Sequence, residues 1–406
     1  MKKIFSIALV AILMTSGCQK TEIIAPSKGE AIIFSTEIQK ITKSDAVSDA
    51  TQEEEDDEEP EETYNKDKSL QDQGFYIWTY ANFIPDDVSN VDEDKIYDDM
   101  DGLKFHYSGG SWDLTPSKEY YWPGTGKELK FFAISSKDTQ MKRGESGKVT
   151  INHGIPSETG AGENVGPSIT IANFEVGPTA SEDLMVADFL TQHQGERVVN
   201  LNFRHALSKI EFKFKTTPVN GQTSRVLVQA VEVANLNKKG TLTVTPKQST
   251  SSSQNPIVNE VNFSWTSNTP DLFTATSDKS VPDFPSFTPV SNTPDYGTKA
   301  LELASTEKTF VTWMMLPDTD LTDNMVTITY IINSRQFKAQ FLLAGKKTVT
   351  EQTNEDGETE KVETYQISSW VPNQYVTYTI DLSPNMITFD ASSQEWAPHT
   401  DITDQN

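Results

Sequence analysis

The sequence predicts an all-β protein built from two antiparallel β-sandwich domains. Beyond residue 70, short segments rich in β-branched and aromatic residues follow one another, as is typical of strands. Prolines and glycines separate these segments at short intervals. After the first 18 residues, no segment has the sustained apolar period of 3.6 residues that an amphipathic helix shows. The one exception that we expect is a single helical turn near Ser181–Phe189.

The first 18 residues have the pattern of a bacterial lipoprotein signal peptide. Lys2 and Lys3 form a basic start, an apolar run of eleven residues extends from Ile4 to Met14, and small residues precede Cys18. The run is shorter than the roughly 20 apolar residues that a membrane-spanning helix needs. Cys18 is the only cysteine of the chain, so no disulfide partner exists for it, and we predict that it is lipidated. The alternative is an ordinary secretory signal with a chance cysteine.

The charge of the chain argues against several classes of partner. Acidic residues outnumber basic ones 59 to 34, which gives a net charge of −25. Nucleic acid is not expected to bind, because phosphate contacts need clustered lysines and arginines. Anionic lipid head groups would repel the protein as well, so membrane attachment must depend on acyl chains at Cys18.

Residues 19–43 contain one strong strand candidate, and residues 44–70 are expected to form a disordered acidic loop. The candidate strand runs from Ala31 to Ile38. Between Thr51 and Glu62, nine of twelve residues are acidic, and such a block repels itself and has little apolar surface to bury. Calcium binding is the alternative, but the carboxylate spacing of a calcium loop is missing from this segment.

Further strand patterns lie on both sides of a polar stretch, Thr191–Glu196, which predicts a boundary between domains 71–195 and 196–406. In Lys209–Lys215 apolar and charged residues alternate, so one face is expected to cover a core and the other to meet water. Residues 247–298 are rich in Ser, Thr, Asn and Pro, and we expect a loosely ordered insertion there. The other predicted strands are 74–80, 129–134, 168–171, 226–233, 241–245, 309–315, 326–332, 338–343 and 376–382.

No pattern predicts an enzyme, a metal site or a cofactor. No hydrolase Gly-x-Ser-x-Gly sequence occurs, and the glycine pairs lack the third glycine of a phosphate-binding loop. Among 59 acidic residues, no pair stands out as catalytic carboxylates. No two histidines have the spacing of a local metal motif; they are His106, His153, His193, His205 and His399.

Aromatic residues of the first domain allow two interpretations. They could form a sugar-stacking platform on a surface protein, or they could fill the space between two sheets. Most lie within or beside apolar strand patterns, which favours core packing. The residues are Trp78, Tyr80, Trp112, Tyr120, Tyr121 and Trp122.

Several segments together resemble the fimbrillin-like family of Bacteroidales. Leu201–Ile210 is similar to the family's Phe-x-His-Ala-Leu-(Ala/Ser)-Lys-(Ile/Leu) signature, and Asp183–Ala187 resembles the segment that usually precedes it. We expect His205 of this signature to have a structural role, with its ring hydrogen-bonded at the start of a strand. The other matching segments follow in the family's order and are Tyr121-Trp122-Pro123, Leu129–Ala133, Trp370–Tyr378, Ile387-x-Phe389 and Trp396.

The resemblance implies two transthyretin-like β-sandwich domains that assemble into surface fimbriae. In that family, a lipoprotein precursor reaches the outer membrane, and a trypsin-like protease cuts after a basic residue beyond the first strand. In this chain the cut would follow Lys43, with Lys40 as a nearby competitor. The resemblance further implies that the strand Glu30–Ile38 leaves and that a strand of another subunit replaces it. The side chains expected to fill the pockets of the removable strand are Ile32, Phe34 and Ile38.

The donor strand and the role of the subunit stay open at this point. Met386–Phe389, or the tail beyond Trp396, would have to serve as donor. The chain could be released from its lipid as a stalk subunit or could keep the lipid as an anchor or accessory subunit. A monomeric outer-membrane lipoprotein that binds glycans or other ligands is the rival hypothesis. The expected partners are other fimbrial subunits, the outer membrane, the protease, and a host or bacterial surface ligand.

Overall fold

A computed structural model describes residues 30–38, 76–83, 96–108, 111–114, 119–122, 128–136, 148–152, 167–177, 183–193, 198–219, 224–247, 257–267, 269–294, 296–353, 359–384 and 386–396. All the secondary-structure elements assigned in these residues are strands, so the predicted all-β fold is confirmed. The predicted helical turn near Ser181–Phe189 is wrong, because strands occupy most of residues 185–189. No helix in the described part of the chain is long and apolar enough to cross a membrane.

Ten of the strands precede residue 206. They are β1 (Ile33–Ile38), β2 (Tyr76–Phe83), β3 (Ile96–Ser108), β4 (Ser111–Leu114), β5 (Glu128–Ser136), β6 (Val149–Asn152), β7 (Ser168–Glu175), β8 (Met185–Ala187), β9 (Phe189–His193) and β10 (Val198–His205).

Fourteen strands follow. They are β11 (Ser208–Lys215), β12 (Val226–Asn237), β13 (Lys239–Pro246), β14 (Ile257–Asn259), β15 (Val261–Thr266), β16 (Pro270–Thr276), β17 (Leu301–Glu302), β18 (Lys308–Met315), β19 (Met325–Ile332), β20 (Arg335–Leu342), β21 (Lys347–Thr353), β22 (Thr359–Tyr365), β23 (Gln374–Ser383) and β24 (Met386–Glu395).

These strands form five sheets. Sheet 1 has the order β1-β10-β8-β5-β2-β3-β4, and β9 and β14 join it through β5. Sheet 2 has the order β18-β11-β23-β24, and sheet 3 has the order β16-β12-β19-β20 with β17 beside β12. Sheet 4 has the order β15-β13-β7-β6, and β21 and β22 pair as a separate ribbon. Pairing is antiparallel except between β1 and β10 and between β11 and β23, which run parallel.

Sheets 2 and 3 pack face to face as a β-sandwich. The ring of Phe273 in sheet 3 lies 6.0 Å from that of Trp313 in sheet 2, and the rings of Phe341 and Phe389 stack at 4.8 Å. Strand β5 of sheet 1 contributes side chains to a core on each of its faces. Phe132 belongs to a large core that continues into sheets 2, 3 and 4, whereas the adjacent Phe131 faces a second core formed by sheet 1 itself.

Strands from both sides of residue 195 share sheets 1 and 4. Strand β10 lies between β1 and β8 in sheet 1, and β7 pairs with β13 in sheet 4. The predicted domain boundary between residues 195 and 196 therefore stays a prediction.

The expected loose insertion over residues 247–298 is wrong where the structure describes strands, between Ile257 and Thr276. Within the described residues, β15 pairs with β13 and β16 pairs with β12, so residues 261–276 extend two sheets. Residues 277–300 then cover the outer face of sheet 3, where Phe284 and Phe287 pack against Leu227 and Ile331. This cover explains why the first six residues of β12 are buried on both faces, whereas Asn235 near its end is exposed.

Strand β11 follows the predicted alternation only in part. Ile210, Phe212 and Phe214 are buried, as expected. Glu211, on the opposite face, is also buried, because strands flank β11 on both sides. The hydroxyls of Thr309, at 2.6 Å, and Tyr375 donate hydrogen bonds to its carboxylate.

Candidate functional site

The segment Glu30–Ile38, which contains β1, lies between two stretches of backbone, and each stretch pairs with a different part of the segment. The amide of Ile32 donates to the carbonyl of Tyr120 at 2.8 Å, and the amide of Trp122 donates to the carbonyl of Glu30 at 2.9 Å. From Ile33 onward the strand pairs in parallel with β10, and the register runs from Ile33 opposite Val198 to Ile38 opposite Phe203. We call the space that β1 fills, between residues 120–122 and β10, the β1 groove.

Two of the three residues predicted to fill pockets are in the described core. Ile32 is 8% exposed and belongs to the second core of sheet 1. Phe34 is half-buried against the same core, and its ring lies 5.0 Å from that of Phe105 and 5.9 Å from that of Phe131. Ile32 and Phe34 are two residues apart, so they share the core-facing side of an extended strand. The backbone of Ile38 pairs with Phe203, and the position of its side chain is outside the described residues.

Strand β10 borders the β1 groove on one side. Its core-facing residues Val199, Leu201 and Phe203 are almost completely buried. On the side away from β1, β8 pairs only with the last three residues of β10. Among the described strands, the first four residues of β10 therefore have β1 as their only ladder partner, while the carbonyl of Asn202 also accepts the amide of Asp188 at 2.9 Å. Departure of β1 would leave their backbone groups without a ladder partner.

A buried ion pair fixes β10 to its neighbours on the far side from β1. The guanidinium of Arg204 donates to both carboxylate oxygens of Asp188, at 2.8 and 3.2 Å, and the amide of Val261 donates to Asp188 at 3.2 Å. Burial raises the pKa of the Asp188 carboxyl, and the Arg204 charge opposes this rise. Arg204 also lies 3.4 Å from Glu260. These contacts join sheet 1 to β15 of sheet 4.

His205, the last residue of β10, has a buried ring with two partners. Its Nδ1 lies 2.7 Å from the Oδ2 of Asp183, and its ring stacks on Trp396 with centroids 3.6 Å apart. Hydrogen bonding of this ring was expected at the start of a strand, whereas His205 ends one. His205 and Asp183 were named from the resemblance. Nothing in the local sequence indicated that Trp396 would contact the ring of His205.

Several residues predicted from the sequence fall elsewhere. Cys18, Lys40 and Lys43 lie outside the described residues, so their roles stay predictions. Tyr120 and Trp122 are buried in the second core of sheet 1, as core packing requires. Tyr121 is half-buried, and the side chains of Trp78, Tyr80 and Trp112 are outside the described set. Within the described ranges, no group of three or more His, Cys, Asp or Glu side chains could hold a metal ion.

The sequence predicted the strand of the groove but not its partners. Ala31–Ile38 was a strong strand candidate, and the family resemblance implied that Ile32, Phe34 and Ile38 fill pockets. The backbone pairing with Tyr120 and Trp122 joins residues about ninety positions apart, and no local pattern reveals such a contact.

Comparison with solved structures gives several similar folds. A fimbrial protein from Bacteroides vulgatus is 15% identical, with 81% of this chain and 95% of that chain covered and a TM-score of 0.45. A candidate cell adhesion protein from Bacteroides ovatus is 12% identical, with 91% and 98% covered and a TM-score of 0.42. Another from Bacteroides uniformis is 14% identical, with 80% and 92% covered and a TM-score of 0.39.

No curated protein gives a significant match. A family model described as fimbrillin-like matches residues 74–396, which is more than half of the chain. This range contains the signature around His205 and the closing segment that ends at Trp396. The chain therefore belongs to the fimbrillin-like family.

Proposed function

We propose that this chain is a structural subunit of cell-surface fimbriae and not an enzyme. It would be exported as a lipoprotein through Cys18, reach the outer membrane, and be cut by a trypsin-like protease after Lys43 or Lys40. The processed chain would join other fimbrial subunits by donor-strand exchange and support adhesion to host or bacterial surface ligands. Membership of the fimbrillin-like family supports the fimbrial part of this proposal.

The observation that carries the proposal is the way in which β1 is held. Among the described strands, β1 is the edge strand of sheet 1 and pairs with β10 alone, while the residues just before it pair with residues 120–122. Its exit would expose the edge of β10 from Val198 to Leu201 and the pockets of Ile32 and Phe34. An extended segment that restores both the backbone pairs and the pocket contacts would be stabilised there. The two candidate processing lysines follow β1 directly in the sequence.

Strand β24 is the better of the two donor candidates. It is the edge strand of sheet 2, and its Ile387 and Phe389 pack toward the core with the spacing that Ile32 and Phe34 have in β1. In both strands an aliphatic residue is followed, two positions later, by phenylalanine. The segment beyond Trp396 contains one large aliphatic residue, Ile402, and no such pair.

Limited trypsin treatment of the purified full chain tests the proposal. Cleavage after Lys43 or Lys40 should give a ladder of SDS-resistant oligomers and filaments visible by electron microscopy. The double variant Lys40→Ala/Lys43→Ala should stay monomeric, whereas a control with two exposed lysines replaced, Lys279→Ala/Lys299→Ala, should polymerise normally.

The outcomes separate the parts of the proposal. Polymers from the double variant would exclude this processing site. A chain that is cut at Lys43 and stays monomeric would contradict donor-strand exchange. Mass spectrometry of the polymerised protein should find residues 1–43 missing; lipid retained on Cys18 in filaments would instead assign the chain to the anchor role.

A further inference from the structure

Trp396, which directly follows β24, is enclosed by residues of three other segments. Its ring stacks on His205, and the ammonium of Lys209 lies 5.7 Å from the centroid of the ring. Its backbone amide donates to the carbonyl of Asn373 at 2.8 Å. Trp396 is 6% exposed as a result. We call His205, Lys209 and Asn373 the Trp396 cage.

The cage ties the end of β24 to sheet 1. His205 is the last residue of β10, where it pairs with Met185 of β8. Its Nδ1 is bound to Asp183, just before β8, and this contact fixes the plane of the ring on which Trp396 stacks. Lys209 belongs to β11, which begins three residues after His205. The position of Trp396 thus depends on the order of the β10–β11 segment.

The order of β10 depends in turn on β1. The residues from Val198 to Leu201 have β1 as their only ladder partner among the described strands, whereas the carbonyl of Asn202 also accepts the amide of Asp188 at 2.9 Å. A strand segment that loses its ladder partner opens locally more often. His205 lies four residues beyond Leu201 in the same strand, so opening of this segment reaches the imidazole ring through Phe203 and Arg204, which are themselves held by β8 and Asp188.

We propose that the Trp396 cage couples the two ends of the chain. While β1 fills its groove, β10 is ordered and the cage fixes Trp396 at the end of β24, which pairs with β23 along its whole length. When β1 leaves, β10 opens more often, the stacking on His205 weakens, and the end of β24 beside Trp396 opens more often. This inference rests on the proposed function, because it gives strand exchange an order: a subunit releases its last strand only after it loses its first. Both ends of the chain would shift the same equilibrium, which is the local opening of β10.

Hydrogen exchange of the intact, uncut chain tests the coupling. Phe34→Ala removes the ring contacts with Phe105 and Phe131 and weakens the hold of β1. We expect exchange about tenfold faster in residues 198–202 and also in residues 386–396, which corresponds to about 1.4 kcal/mol of local opening free energy. Exchange in residues 226–233 should stay unchanged. The control Phe284→Ala removes a half-buried ring from the cover of sheet 3 and should leave residues 386–396 unchanged.

A second variant tests whether the cage carries the effect. His205→Ala should accelerate exchange in residues 386–396, and adding Phe34→Ala should then give little further change there. If Phe34→Ala accelerates exchange in residues 386–396 by the same factor with and without the His205 ring, the proposal is overturned. So would faster exchange in residues 198–202 without any change in residues 386–396. If Phe34→Ala unfolds the chain, Phe34→Leu gives the same comparison with a smaller loss of contact. None of these measurements uses a protease, so failure of trypsin-induced polymerisation would contradict the proposed function and leave these results standing.

Discussion

Glu211 is a buried carboxylate whose hydrogen bonds outweigh the cost of its burial. Burial alone would raise its pKa, but hydrogen bonds from Thr309, Tyr375 and Lys213 lower the pKa below its ordinary value of 4.5. The same environment, burial first and the hydrogen bond to Glu211 second, raises the pKa of Tyr375 to about 12. The charged group thus binds β18 and β23 to the central strand β11 of sheet 2.

Replacing Glu211 by glutamine should lower the free energy of unfolding at pH 7 and remove the part of its pH dependence that comes from this carboxylate. Since the folded state keeps the carboxylate charged at a lower pH than the unfolded chain does, the stabilisation is present above pH 4.5 and is lost as pH falls through the lowered pKa. We expect Glu211→Gln to lose about 2 kcal/mol at pH 7 and much less at pH 3. Urea unfolding at both pH values measures the difference.

A matched variant distinguishes this effect from a general loss of acidic charge. Glu307 makes an exposed ion pair with Lys215 at 3.3 Å, so Glu307→Gln should change stability little. An equal loss for Glu211→Gln at pH 7 and pH 3 would contradict the role of its charge.

At the level of strands, local patterns predicted fewer than half of the 24 described strands and few of their partners. The alternation in residues 209–215 and the apolar run in residues 226–233 each matched a strand. Residues 257–276 were missed, because Ser, Thr and Asn dominate them and only pairing with β9, β12 and β13 makes them strands. The buried state of Glu211 was missed for a similar reason: strands on either side of β11 decide it, and they come from distant sequence.

For the β1 groove too, the sequence predicted the strand but not the segments that it contacts. The strand over residues 31–38 was predicted from its local composition, and the family resemblance implied that Ile32 and Phe34 face the core. The parallel partner β10 and the stacking of Trp396 on His205 depend on chain segments more than 150 residues away, for which the local sequence holds no information.

A peptide that copies β24 should compete for the β1 groove. A synthetic peptide of residues 384–394 carries Ile387 and Phe389, so it should block polymerisation of the trypsin-processed chain. A control peptide with serine at both positions should inhibit at least about tenfold less, because the pockets would stay empty. The yield of SDS-resistant oligomers at increasing peptide concentration measures the inhibition. Equal potency of the two peptides would exclude β24 as the donor.

For the whole molecule, charge should set the rate at which processed subunits meet. Removal of residues 1–43 takes away six lysines and three glutamates, so the net charge changes from −25 to −28. Such chains repel one another at low salt, where screening extends over about 30 Å at 0.01 M compared with about 8 Å at 0.15 M. Polymerisation of chains cut beforehand should therefore be faster at 0.15 M salt, by about tenfold. Light scattering follows the rate, and slower growth at the higher salt would show that opposite charges drive the contact.

The parallel direction of β1 against β10 has a consequence for the geometry of any fibre. A replacement strand that makes the same hydrogen bonds must run in the same direction as β1, so each junction has one sense only. A junction between two different surfaces repeats head to tail, and it gives an open fibre when its rotation does not close into a ring. The fibre would then be polar, with an empty groove at one terminus and an unused strand at the other. Growth and attachment to the cell would accordingly take place at chemically different ends.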